Sequence, residues 1–110
     1  MSRFCTREMV LSHPKFRSLV ADLKPYAFVY LVGSLCEHPV GRDADVVAYP
    51  SDEEAWGRVD EYLDSRRDVV RDMLMPSAEG FIIDLGDFRV DLKVFDPSVP
   101  LESYGCYESL

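Results

Sequence analysis

The sequence predicts an α+β domain: a mixed sheet of four strands with helices packed mainly on one face. Three observations carry that expectation. The continuous apolar run Ala27-Phe-Val-Tyr-Leu-Val32 has the composition of a central strand covered on both sides. Two further apolar runs, 81–85 and 88–95, are separated only by Gly86-Asp87, which reads as a hairpin. Apolar residues at helical spacing flank the first strand on its N-terminal side and precede the hairpin.

Taken in order, Ser12-His13-Pro14 has the form of a helix start, with Ser12 as cap and proline in the first turn. Phe16, Leu19, Val20 and Leu23 follow at helical spacing and Pro25 closes the segment, so a helix is expected over 14–24. The strand 27–32 ends at Gly33. Ala44-Asp-Val-Val-Ala-Tyr49 reads as a second strand, stopped by Pro50. Ser51-Asp-Glu-Glu54 has capping-box spacing and acids suited to a helix N-terminus. A long helix is expected from about residue 52 to about 73, with Trp56, Val59, Tyr62, Leu63, Val69, Val70, Met73 and Leu74 as its buried stripe. The hairpin follows, and Pro97 and Pro100 end its second strand. The tail from Leu101 to Leu110 is expected to form a helical turn or to dock on a partner. The whole chain, 1–110, reads as one domain with its core at 14–95 and a tail at 96–110.

Composition narrows the function. With 47% hydrophobic and 12% aromatic residues the chain has ample material for a buried core. A net charge of −8 disfavours a nucleic-acid grip by this chain alone, because phosphate backbones demand dense Lys and Arg. It is compatible with an anionic nucleotide bound through divalent metal, since a bound cation reverses the local field. Cys5, Cys36 and Cys106 lie far apart without a C-x-x-C pair, and His13 and His38 are not spaced as zinc ligands, so reduced thiols are expected. The opening Met1-Ser-Arg-Phe-Cys-Thr-Arg-Glu lacks a signal-peptide core, and the longest apolar run is too short to span a bilayer. A soluble cytoplasmic protein is the expectation.

The chemistry concentrates in 32–47. Gly33 and Ser34 sit at the end of a buried strand, where glycine permits close approach of a ligand and the following amides and the Ser34 hydroxyl suit phosphate oxygens. Asp43 and Asp45 stand at the entrance to the next strand, two apart and therefore on one side of it. Side-by-side carboxylates repel unless protonated or bridged by a cation. Oxygen donors of this kind suit magnesium or manganese. In the hairpin, a turn at Gly86-Asp87 sets Asp84 opposite Arg89 and Ile82 opposite Asp91. Asp84, Arg89, Asp91 and Lys93 then share one face, and Asp91 becomes a third carboxylate beside Asp45. Asp84 reads as a structural partner of Arg89, Lys93 as a weaker candidate for neutralising phosphate, His38 as a loop histidine, and Cys36 and Trp56 as packing residues.

Strand, Gly-Ser, eight residues, Asp-x-Asp on a second strand and a later Asp in Arg89-Val-Asp-Leu92 together resemble the DNA polymerase beta-like nucleotidyltransferase superfamily, and within it the minimal nucleotidyltransferases. The resemblance spans about residues 27 to 95. It implies the nucleotidyltransferase fold, triphosphate binding at Gly33 and Ser34, and two divalent metals, Mg2+ or Mn2+, held by Asp43, Asp45 and Asp91. Asp91 would also help to activate the attacking hydroxyl. It further implies transfer of a nucleoside monophosphate, AMP from ATP, to a Tyr or Ser of a protein partner such as a cognate toxin, with this chain as the antitoxin. The chain departs from that pattern in one place: where many relatives have a small residue and then Arg-Gly, it has Cys36-Glu37-His38, and Pro39 is expected to cut short the helix after the turn. An alternative expectation is therefore a module that keeps the fold but acts by binding its partner. Apolar tail residues Leu101, Tyr104, Tyr107 and Leu110 are candidates for a homo- or hetero-oligomeric interface.

Overall fold

The computed structural model describes residues 4–110; residues 1–3 of the opening segment read above lie outside the described residues. The chain begins with β1 (Cys5–Thr6), α1 (Arg7–Ser12) and α2 (Pro14–Leu23), then β2 (Ala27–Val32), α3 (Ser34–Glu37), β3 (Val40–Gly41) and β4 (Ala44–Pro50). It continues with α4 (Glu53–Asp64), β5 (Val69–Met75), β6 (Ala78–Asp84), β7 (Arg89–Phe95), a 3-10 turn (Leu101–Tyr104) and β8 (Tyr107–Ser109). The fold is α+β. Six strands form one mixed sheet in the order β5-β6-β7-β4-β2-β8, and β1 pairs with β3 in a small ribbon. Only the β4–β7 pair is parallel within the six. Among the described residues, no helix is long and apolar enough to cross a membrane.

The four expected strands are present, and two more extend the sheet at its ends. One of them replaces the C-terminal half of the long helix expected over 52–73. The helix stops at Asp64 because Ser65 caps it, and Arg66 then turns the chain by clasping Asp68 through Nε and Nη2 at 2.8 and 2.7 Å. The β-branched pair Val69-Val70 follows and joins β6 as an edge strand, Val69 opposite Ile83. Val70 and Leu74, expected in the buried stripe, are 66% and 69% exposed. The apolar residues there had the right count for a helix face and the wrong conformation.

Two caps also differ from expectation by one residue. His13, not Ser12, caps α2 by accepting from the Lys15 amide at 3.3 Å, while Ser12 Oγ bonds back to Glu8 O at 2.8 Å and ends α1. Asp52, not Ser51, caps α4, accepting from the Ala55 amide at 2.7 Å.

The sheet has two unlike faces. Alternation along each strand sends Val29, Leu31, Val46, Ala48, Phe81, Ile83, Val90, Leu92 and Val94 toward the helices, where Val10, Phe16, Leu19, Leu23, Val59 and Leu63 meet them in the main core. On the opposite face Val32, Val47, Ala78 and Phe95 make a smaller cluster, covered by Val99, Leu101 and Tyr104 of the C-terminal segment. The tail is thus not a free apolar flank: Leu101, Tyr104 and Leu110 pack on their own domain. Burying a side chain of this size stabilises by about 2 kcal/mol, which favours internal docking over exposure to solvent.

Candidate functional site

The hairpin register positions the site. β6 and β7 pair with Asp84 opposite Arg89 and Ile82 opposite Asp91, as the Gly86-Asp87 turn predicted. β7 then lies parallel to β4 with Asp91 directly beside Asp45, and β2 lies on the other flank with Val32 beside Asp45. β8 adds Tyr107 beside Val32. One row of side chains therefore crosses the helix-free face: Tyr107, Val32, Asp45, Asp91 and Ile82. Two carboxylates occupy its centre.

A cavity of about 280 Å³ opens over this row, lined by Val32, Gly33, Asp45, Val46, Val47, Asp91, Lys93 and Tyr104. Gly33 forms its rim in a conformation, φ 71° and ψ −151°, that is essentially reserved for glycine. A side chain there would also collide with Asp45, whose Cβ and Cγ lie 3.0 Å from the position a Cβ would take. The bend and the acid thus fit together only because residue 33 is glycine. Past the bend, α3 closes one short turn, with the Cys36 and Glu37 amides donating to Gly33 O at 3.1 and 3.2 Å, and it ends before Pro39 as expected.

Electrostatics single out Asp45. Burial pushes its carboxyl up to about 6, and the neighbouring charges of Asp91 and then Asp43 push the same way, against the opposing pull of Lys93. Lys93 Nζ stands 2.5 Å from Asp91 Oδ1, the ion pair expected if Asp91 were only a partner for nearby bases. Tyr104 enters from the tail: burial raises its phenol, and the charges of Asp45 and Asp91 raise it further. Asp45 and Asp91 against the single ammonium of Lys93 leave the cavity lining net acidic. Among the described residues, no three His, Cys, Asp or Glu side chains are already gathered as a cation set.

Of the five residues singled out from the sequence, Gly33, Asp45 and Asp91 line the same cavity. Asp43 is exposed, one residue ahead of β4, and acts on Asp45 through its charge. Ser34 lies outside the lining, its hydroxyl over Gly41, where a Cβ would sit 2.6 Å away. Glu37 and His38 are exposed on the far end of α3. Asp84 accepts from the Gly86 amide at 2.8 Å and serves the turn. Tyr104 had no local signal to place it here, since only the return of the tail to β2 brings it in.

The cysteine expectation is corrected. Cys36 and Cys106 form a disulfide with Cα atoms 6.0 Å apart, and Cys5 is free and buried. Their separation of 70 residues hid a proximity that β8 creates by pairing with β2 beside α3.

No family model matches the chain, and no curated protein matches it.

Proposed function

We propose that this chain is a metal-dependent nucleotidyltransferase domain that moves AMP from ATP to a hydroxyl of a protein partner, such as a cognate toxin. The observation that carries this reading is the pairing of Asp45 with Asp91 on adjacent parallel strands, next to a glycine bend and above a cavity. Asp45 and Asp91, with Asp43 one residue ahead of β4, are the residues that would hold Mg2+ or Mn2+. When bound, such an ion supplies positive charge to the phosphate oxygens and to the attacking and leaving oxygens of an in-line displacement. Gly33 leaves the backbone bare where the triphosphate would approach. Lys93 offers an ammonium that can turn from Asp91 to a phosphate oxygen. Asp91 stands ready to accept the proton of the acceptor hydroxyl as its oxygen bonds to the α-phosphorus and pyrophosphate leaves. The net charge of −8 supports a protein acceptor over nucleic acid.

A second reading keeps the fold and drops the chemistry: a module that neutralises its partner by contact. The Lys93–Asp91 pair, the Tyr104 ring over the cavity and the acidic Glu37 after the bend support it. Incubation with labelled ATP, Mg2+ and the candidate partner separates the two. Transfer predicts a partner heavier by one AMP in the mass spectrum and Mg2+-dependent ATP stabilisation in a thermal-shift assay. Absence of both overturns the enzyme reading in favour of the binding module.

A further inference from the structure

The C-terminal strap is fastened at both ends around the acidic cavity. It leaves the sheet at Phe95, crosses the helix-free face with Val99, Leu101 and Tyr104 packed down, and is tied at Cys106 to Cys36 on α3. α3 is the element that follows the Gly33 bend, so the disulfide ties the cover to the short turn three residues beyond the cavity rim. We propose that residues 96–106 form a redox-operated cover: the Cys36–Cys106 bond holds Tyr104 over Asp45 and Asp91, and its reduction lets the strap lift. The proposal concerns access to the cavity and does not rest on the chemistry proposed for it.

The holds other than the disulfide are few and individually weak. β8 pairs with β2 over three residues only, Tyr30 to Ser109, Leu31 to Glu108 and Val32 to Tyr107. Arg7 and Glu108 form an ion pair, but their side chains are 36% and 41% exposed and solvent screens it. Tyr49 donates from its hydroxyl to Val99 O at 2.8 Å, and Leu101 and Tyr104 are only partly buried. Gly105, at φ 76°, sits between Tyr104 and Cys106, where a chain must swing if the ring is to leave the cavity. A three-residue edge strand, the Tyr49 hydrogen bond and single backbone bonds from Asp96 N to Ser77 O and from Leu110 N to Val29 O belong to the low-stability end of a fold, where local opening is frequent. A covalent tie suppresses that opening; without it the segment opens independently of the core.

The chemistry balances with a dithiol reductant. Its thiolate attacks one sulfur of the pair and the other cysteine leaves as thiolate and takes up a proton. The reductant's second thiol then displaces the first cysteine, yielding two protein thiols and one reductant disulfide. Cys106 is partly exposed and so open to attack, whereas the buried Cys5, bonded to Arg42 O, is not a competing partner.

Lys93 lines the cavity and serves as the reporter. The full chain, oxidised or treated with dithiothreitol, is pulsed with an amine-acylating reagent and mapped by peptide mass spectrometry. Lys15, exposed on α2 and outside the cavity lining, is the control. Acylation of Lys93 is expected to rise about tenfold on reduction, with unchanged Lys15 labelling and faster amide exchange over 98–110. The Cys36→Ser/Cys106→Ser double variant should label like the reduced chain under both conditions. Equal Lys93 labelling in the two redox states overturns the proposal, as does failure of the two thiols to pair in a glutathione redox buffer. If the double variant does not fold, reduced against oxidised wild type still decides.

Discussion

Two carboxylate pairs occupy opposite faces of the same sheet, and their difference separates a structural acid from a candidate reactive one. On the helix face, Asp60 of α4 meets Glu79 of β6. Glu79 is 7% exposed, its Oε1 accepts from Trp56 Nε1 at 2.9 Å, and Arg71 stands 3.4 Å from its Oε2 and 3.8 Å from Asp60. Asp60 Oδ1 and Glu79 Oε2 are buried without a hydrogen-bond donor, so the pair favours a shared proton; burial, then the Glu79 hydrogen bond and charge, raise the Asp60 carboxyl. On the open face, Asp45 is raised for similar reasons by burial and Asp91. A displaced pKa therefore does not by itself mark a site. Space does. The facing oxygens of Asp60 and Glu79 are buried beside the Trp56 indole and the Arg71 guanidinium, whereas Asp45 and Asp91 look into a cavity bordered by a glycine bend, a lysine and a tyrosine.

Transfer activity breaks the comparison most sharply. Asp45→Asn and Asp91→Asn should each lower AMP transfer to the partner by at least about a hundredfold, since each removes charge at the point where it is most needed. Asp60→Asn should leave the rate within about twofold of wild type. The measurement is initial rate of AMP addition at fixed Mg2+; an equal loss in all three variants would erase the distinction between the faces.

Next in size is the bend. Gly33→Ala requires a non-glycine residue at φ 71° and drives its methyl group into Asp45. The expected cost is about 3 kcal/mol in urea unfolding. A loss below about 1 kcal/mol would mean that the bend relaxes freely and does not fix Asp45 against the rim.

How far the sequence discloses this arrangement depends on how local the signal is. The hairpin register was legible because a two-residue Gly86-Asp87 signal fixes pairing outward from the turn, and Asp91 followed in phase from it. That β4 and β7 would be parallel neighbours rests on nothing local, yet it is what brings Asp45 and Asp91 together. Residues 69–75 misled because apolar spacing after α4 fits either period, and the decision lies with Ile83 and Phe81 across the sheet. Tyr104 and the Cys36–Cys106 bond were invisible for the same reason: both depend on β8 returning to β2 from far along the chain.

The helix-face pair is tested through its cation. Arg71→Met leaves Asp60, Asp64 and Glu79 facing one another without the guanidinium that lies 3.4 to 3.8 Å from each. With the Arg71 side chain 36% exposed, the cost should fall below that of a fully buried pair, at about 2 kcal/mol near neutral pH. Most of that loss should be recovered at about pH 5, where a proton takes over the role of the guanidinium. A pH-independent loss would point to packing of the Arg71 stem on Phe81, over which its guanidinium lies at 5.2 Å, as the dominant effect.

The smallest effect has the most informative sign. Asp45 is about 6 in the folded chain against the ordinary 3.8, so folding disfavours its charged form. Below 3.8 the group is protonated in both states and has no influence; between 3.8 and 6 the unfolded chain ionises first and stability falls; above 6 the whole penalty is present. Because Asp45 is only half-buried, solvent screens much of it, leaving about 1 kcal/mol. Asp45→Asn should therefore stabilise the protein by about 1 kcal/mol at pH 7 and by nothing at pH 3.5, as read from the difference between urea curves of variant and wild type. Asp60 lies on the opposite face and cancels in that difference. Stabilisation on removing an acid is the behaviour of a side chain retained at a cost to the fold. Destabilisation at pH 7 would make Asp45 a structural acceptor like Glu79, and the two faces would no longer differ in kind.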